Sequence, residues 1–274
     1  MKLSRSKSSI RIRSTSRHLT QSNSGLLKID SLPNLRVLCQ RISNETSPES
    51  SAILKTAAIY RSSKPDKIVE KDVVKFRQLS IKSIVDFRSK EEYLLTKDHN
   101  LIDAEYTLYK VCLPNNNYQP ALKLISEPDN LPVLINCAYG KDRTGIISAL
   151  ILTCLGMPKS YVAAEYALST EGLEPVRQLV YQDIVGKYEL TEEFCNSETE
   201  TMLKLLNYIE EKYTSVEGYM CHIGFSLEEQ HRLKANVEAF RHLGYEDDND
   251  DDDHKVTGVV SSKSETLSSH PKSD

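Results

Sequence analysis

"PVLINCAYGKDRTGIISALILTCLG" (132–156) runs from a compact apolar segment through a short polar loop into a longer apolar segment. Residues 132–136 fit a buried strand, and Thr144–Leu155 fits a helix apolar on nearly every side, closed by Gly156 and Pro158. A strand that turns through Gly140 into a helix starting at about Arg143 makes an anion site by geometry alone. The amides of Ala138, Tyr139, Gly140, Lys141, Asp142 and Arg143 can converge on one concavity, which the positive end of the helix also faces. A Walker-type nucleotide loop requires G-x-x-x-x-G-K-[ST]; here the lysine precedes Asp142-Arg143 with no second glycine in register, so that reading fails.

The loop begins instead with a cysteine. A thiolate beside a helix N-terminus, several amides and two cations is stabilised and becomes a nucleophile. Arg143, six residues on, can hold two oxygens of a transferring phosphoryl group in a bidentate fork. Of the six cysteines, only Cys137 has an arginine at this spacing. The expected roles are therefore nucleophile for Cys137 and clamp for Arg143, with Thr144 donating a hydroxyl hydrogen bond to the sulfur. For the general acid the candidates are Asp142 and Asp86. Each has a structural alternative: Asp86 as an ion-pair partner of Arg88 or Arg61, Asp142 as a brace for Arg143. Lys141 reads either as a contact for extra phosphates or as general positive potential.

Outward from the loop, strands and helices alternate. "AAIYRSS" (57–63), "SIVDFR" (83–88) and "AEYTLYKVCL" (104–113) read as strands, the last followed by a Pro/Asn turn "PNNNYQP". "EKDVVKFRQL" is an amphipathic helix with Val73, Leu79 and either Phe76 or Val74 inward. "KSYVAAEYAL" is another helix. Between Ser169 and Tyr219 lies a long excursion carrying Met202, Leu205, Leu206, Ile209 and Tyr213 on one helical stripe. It reads either as a lid over the site or as a packed helix. "SLEEQHRLKANVEAF" opens with a capping box, Ser226 to Glu229, and turns Leu233, Val237 and Phe240 inward. This alternation predicts an α/β fold, a central sheet covered by helices on both faces.

Composition limits the alternatives. The 274 residues, 39% hydrophobic, suffice for one sizeable core with tails. The net charge of −4 averages two opposite ends. Residues 1–28 form an Arg/Lys/Ser-rich tail with no acidic residue, and 246–274 an acidic tail opened by "YEDDNDDDDH" (245–254). Both are expected to be disordered, leaving 29–245 as the catalytic domain. The basic tail also has the composition of a transit peptide or of an arm touching anionic lipid. No C-x-x-C pair and no His/Cys cluster at zinc spacing occurs, so neither metal nor cofactor is expected, and a reduced, cytoplasmic chain is. The other five cysteines are expected to pack as small apolar groups. No apolar run approaches the roughly 18 to 20 residues of a membrane span. The basic end lacks interleaved aromatics, which argues against nucleic acid as a partner.

"CAYGKDRTG" resembles the phosphate-binding signature of cysteine-dependent phosphatases, C-x5-R-[ST], and within them the family 3 tyrosine phosphatases, whose loop reads H-C-x-x-G-K-D-R-T-G. "LPNLRV" (32–37), "IYRSSKPD" (59–66), "SIKSIVDFRSKEEY" (80–93), "YALS" (166–169) and "GFSLEEQHRL" (224–233) are similar to further segments of that family, so the likeness covers about 30–245. The resemblance implies a mostly parallel sheet flanked by helices with a helical lid. It also implies hydrolysis of phosphotyrosine, and of phosphoserine or phosphothreonine, on proteins through a cysteinyl-phosphate. A phosphoinositide phosphatase with the same mechanism and an inactive phosphate-docking module are the alternatives. Asn136 stands where the family usually has histidine, and cannot supply the same buried hydrogen bonds or positive charge.

Overall fold

The computed structural model describes residues 26–39, 57–95, 106–113 and 117–246, with the side chains of 242–246 left aside. The segments expected as tails, apart from Leu26, Leu27, Lys28 and Glu246, lie outside the described residues, as do 104–105 of the strand expected over 104–113 and 114–116 at the start of the Pro/Asn turn. Leu26 and Leu27 belong to the fold: Leu26 forms a bridge with Arg36, and Leu27 is buried.

Five strands make one sheet: β1 (Arg36–Val37), β2 (Ile59–Ser62), β3 (Ser83–Asp86), β4 (Thr107–Lys110) and β5 (Val133–Asn136), in the order β1-β2-β5-β3-β4. β1 is antiparallel to β2; the other pairs are parallel. Parallel neighbours need crossovers. Helices α1 (Glu70–Arg77), α2 (Lys90–Leu94) and α3 (Gln119–Ser126) lie in the three connections between β2 and β5. β5, the shortest route to the loop, sits at the centre and is buried throughout.

Alternation along the strands divides the interior in two. Ile59, Val85, Val133 and Ile135 belong to the larger core, while Tyr60, Ile84 and Leu134 face the other with Leu27, Leu32, Leu35, Phe76 and Leu79. Of the two alternatives on α1, Phe76 is inside and Val74 is 62% exposed.

After the loop come α4 (Asp142–Cys154), α5 (Lys159–Gly172), α6 (Arg177–Tyr181), α7 (Thr199–Tyr213), α8 (Val216–His222) and α9 (Leu227–Glu246). α4 is wedged among α3, α5, α8 and α9, which is why it is apolar on nearly all sides. The expected capping box closes the start of α9: the Ser226 amide donates to Glu229 at 2.7 Å and the Glu229 amide to the Ser226 hydroxyl at 3.3 Å. Leu233 and Val237 are buried.

The long excursion divides into two. α7 packs on α5 with Met202, Leu206 and Ile209 buried, so that helix is core rather than lid. The stretch from Leu173 to Asn196, with α6 and a π-helical turn Gln182–Lys187, builds a small separate cluster of Leu173, Val180, Ile184 and Cys195. The cysteines are free, and two depart from the expectation of packing: Cys112 and Cys221 are exposed, Cys112 beyond the edge strand β4 and Cys221 near the end of α8. Among the described residues no helix is long and apolar enough to cross a membrane.

Candidate active site

The loop from Cys137 to Arg143 leaves the carboxyl end of the central strand, the usual place for a ligand in an open α/β sheet. Its backbone is held from behind. The Ala138 carbonyl accepts the Lys64 amide at 3.3 Å. The Asn34 side-chain amide donates to the carbonyls of Tyr139 and Gly140 at 3.0 and 3.1 Å. Arg61 donates to the carbonyls of Gly140 and Lys141 at 2.7 and 3.4 Å. With successive carbonyls turned back, the amides between them are left for the opposite side, the arrangement of an anion nest.

The fit at Gly140 is closer still. Its φ is +63°, and a Cβ would lie 2.0 Å from the Ser62 carbonyl oxygen, so only glycine lets the loop approach the end of β2. The Arg61 that grips the loop is itself fixed in a buried ionic cluster. Glu165 on α5 accepts from Arg36 at 2.7 Å and from Arg61 at 2.5 Å. Burial opposes ionisation of Glu165, but the two guanidinium groups hold it below the usual carboxylate range. Burial, with Arg61 beside it, brings Arg36 down to about 10.

Cys137 is buried at the base of the loop. Arg143 is poised by a residue that the sequence reading did not single out. Glu92 accepts from both terminal nitrogens of Arg143, at 2.6 and 2.8 Å, and the Phe87 carbonyl accepts at 3.0 Å. The Arg143 hydrogen bonds pull Glu92 down to about 2 against its partial burial, and the pairing raises Arg143. Glu92 is aimed by a capping box on α2, where the Ser89 amide donates to its carboxylate at 2.8 Å. The S-x-x-E pattern of Ser89–Glu92 was the available signal, but it says only that a helix starts there.

The two acid candidates sit differently. Asp86, at the end of β3 beside Asn136, is buried, and both its oxygens accept from Arg88, at 2.7 to 3.1 Å. Arg88 also pairs with Asp66 at 2.8 Å. Asp142, the first residue of α4, has a side chain 61% exposed. It pairs with the Lys141 ammonium at 2.7 Å, whereas Arg143 is oriented by Glu92. Lys141 is turned inward, its side chain 3% exposed, and its ammonium also reaches the Asn196 carbonyl at 3.4 Å.

The expected hydrogen bond from Thr144 to the sulfur is not formed. Thr144 lies in the first turn of α4, which begins at Asp142, and its hydroxyl is enclosed without an acceptor. Asn136 is fully buried between Ser62 and Asp86, and neither end of its amide has a partner. Tyr139 points the other way, into the cluster of the 173–196 stretch. Its hydroxyl donates to the Asp183 carboxylate and, at 3.3 Å, to the Leu179 carbonyl. Burial, then Asp183, pushes its ionisation up.

The model of the tyrosine phosphatase family matches residues 27–238. The chain is 26% identical over 118 residues to the triple specificity protein phosphatase PtpB of Mycobacterium tuberculosis, covering 38% of this chain and 43% of that one. It is 39% identical over 57 residues to a tyrosine-protein phosphatase of Nostoc commune, covering 21% and 19%. The chain thus spans less than half the length of the curated relatives it matches. Among solved structures, the core catalytic domain of the PP-IP phosphatase SIW14 from S. cerevisiae in complex with citrate aligns with 46% of this chain and 87% of that one, at 22% identity and a TM-score of 0.30. A second Siw14 catalytic core aligns with 40% and 70%, at 26% identity and a TM-score of 0.32.

Proposed function

The chain belongs to the tyrosine phosphatase family, and from that premise we propose that it hydrolyses phosphotyrosine on proteins through a cysteinyl-phosphate. The observation that carries the reading is the rear anchoring of the loop: its carbonyls are held by Lys64, Asn34 and Arg61, so its amides and Arg143 can surround a phosphoryl group above Cys137.

In the first step the Cys137 thiolate attacks phosphorus; the S–P bond forms and the bond to the leaving phenolic oxygen breaks. Arg143 spreads the equatorial charge, in a plane that Glu92 sets. Asp142, 61% exposed at the mouth of the loop, is free to leave its single pairing with Lys141, take up a proton and pass it to the leaving oxygen. Asp86 is committed to Arg88 and serves to hold the end of β3. In the second step water attacks phosphorus and gives a proton to Asp142. The S–P bond breaks, inorganic phosphate leaves and the thiolate returns.

The names of the two curated relatives, both protein phosphatases, favour a protein substrate. So does Lys141, whose ammonium is turned inward to the Asn196 carbonyl rather than left for further phosphates. The full chain, with reductant, is expected to release phosphate from a phosphotyrosine peptide, and Cys137→Ser to lower that rate by about 10³-fold or more. Release from soluble phosphoinositides but not from the peptide would reassign the substrate to lipid. No release from either, with inorganic phosphate still bound, would make the loop a docking site.

A further inference from the structure

A groove of about 560 Å³ opens on the surface of α5 at the base of the 173–196 stretch. It is lined by Ala164, Ala167, Leu168, Thr170 and Glu171 of α5, by Glu174 just after it, and by Thr199 at the start of α7. The surroundings are strongly acidic: from Glu171 to Glu200 there are eight Asp and Glu against Arg177 and Lys187, a net charge of −6. The exposed pairs of Glu174 with Arg177, at 3.7 Å, and of Glu200 with Lys204, at 3.0 Å, are of a kind that yields readily to another cation.

The same chain carries a segment of matching chemistry. Residues 1–25 hold six Lys and Arg and no acidic residue, and their centre, "IRIR" (10–13), alternates apolar and basic side chains. In an extended conformation Ile10 and Ile12 share one side and Arg11 and Arg13 the other. That pattern suits a groove lined by both apolar and acidic side chains.

The point where the segment leaves the fold is also close. The Leu27 amide donates to the Leu35 carbonyl at 2.9 Å, and the neighbouring Asn34 amide donates to the Gly172 carbonyl at 2.9 Å. Gly172 ends α5, beside Glu171. From Leu26, 13 extended residues reach up to about 45 Å, well beyond what is needed.

We propose that residues 1–25 dock in this groove, with Ile10 and Ile12 against Ala164, Ala167 and Leu168 and Arg11 and Arg13 against Glu174. The tether makes weak contacts sufficient. At about millimolar effective concentration, an affinity of about 0.1 mM keeps the segment docked about nine-tenths of the time. The acidic run 247–253 offers the same sign of charge but no apolar surface for the isoleucines.

Tryptic cleavage after Arg11 and Arg13 tests this, because it follows the fraction of time the segment is free. In the full chain at low salt, both sites should be cut about tenfold more slowly than in a synthetic 1–25 peptide. The slowing should disappear with Ile10→Ser/Ile12→Ser, with Glu174→Lys, and in about 0.5 M salt. The isoleucine variant changes no residue of the groove or of the Cys137–Arg143 loop, and an unchanged denaturant midpoint would show that it reads docking rather than stability. Equal rates in chain and peptide would overturn the proposal. Slowing that survives the glutamate reversal but is lost on deleting 247–274 would give the segment to the acidic tail. Slowing that grows with protein concentration would assign it to a second copy.

Discussion

The two surfaces that meet at the phosphate loop are built by opposite means. Behind the loop, Asn34, Arg36, Arg61 and Glu165 are all buried and joined in one hydrogen-bonded ionic cluster that reaches β1, β2 and α5. In front, the 173–196 stretch has a four-residue cluster of its own and leaves Leu179, Tyr181, Tyr188, Leu190 and Phe194 each more than 40% exposed. It holds the loop through the Tyr139 side chain and the contact of Lys141 with Asn196. The difference separates two tasks. A nest for a phosphoryl group must be organised before substrate arrives, so its supports are buried and multiply bonded. If 173–196 is to admit substrate under the proposed function, it must open at low cost, and its few attachments near solvent suit that.

The rear cluster gives the largest expected effect. Glu165→Gln removes the charge that two buried guanidinium groups share, and should lower the unfolding free energy by about 3 to 5 kcal/mol, read from the denaturant midpoint. A loss near zero would mean that the cluster does not carry the loop.

Next comes the clamp. Glu92→Gln leaves Arg143 without its bidentate partner and should lower kcat/KM by about 10²-fold with little change in folded content. The pairing also leaves a pH signature. Glu92 moves from 4.5 to about 2 on folding, so its stabilising contribution is whole above about 4.5 and is lost as the pH falls towards 2. In Glu92→Gln, the part of the acid-induced loss of stability between those two values should be missing.

The front gives the smallest effect. Tyr139→Phe deletes the hydroxyl bonds to Asp183 and Leu179, and should change stability by about 1 kcal/mol or less. Amide exchange across 177–187 should nevertheless quicken several-fold. If it does not, the hydrophobic cluster alone holds the stretch in place.

The strands, the long buried helix and the cysteine–arginine loop were legible in the sequence because each is a local pattern. "PVLIN" is apolar without interruption because β5 is covered on both faces, and Gly140 is demanded by a turn only glycine allows. Long-range partners were not legible. Glu92 meets Arg143 across 51 positions, and Asn34 reaches the loop across 105 and 106. Nothing in spacing or periodicity signals such a pair. The Asp86 alternatives were open for a different reason: Arg88 is only two residues away, but spacing alone does not say whether it or the more distant Arg61 meets the carboxylate, and the fold brings Arg88.

The division follows from the range of the forces. By itself the sequence determined the α/β alternation, the strand–loop–helix that carries Cys137 and Arg143, and the family those residues belong to, because backbone conformation and amphipathic period are set within a few residues. Only the tertiary structure decided that Arg143 rests on Glu92, that Lys141 turns inward, that Thr144 misses the sulfur, and that 199–213 joins the main core while 173–196 forms a cluster of its own. These depend on which distant parts of the chain the fold brings together: a buried ionic group such as Glu165 is tolerated only where the fold supplies its counterpart, and a helix joins the core only where a partner face covers it.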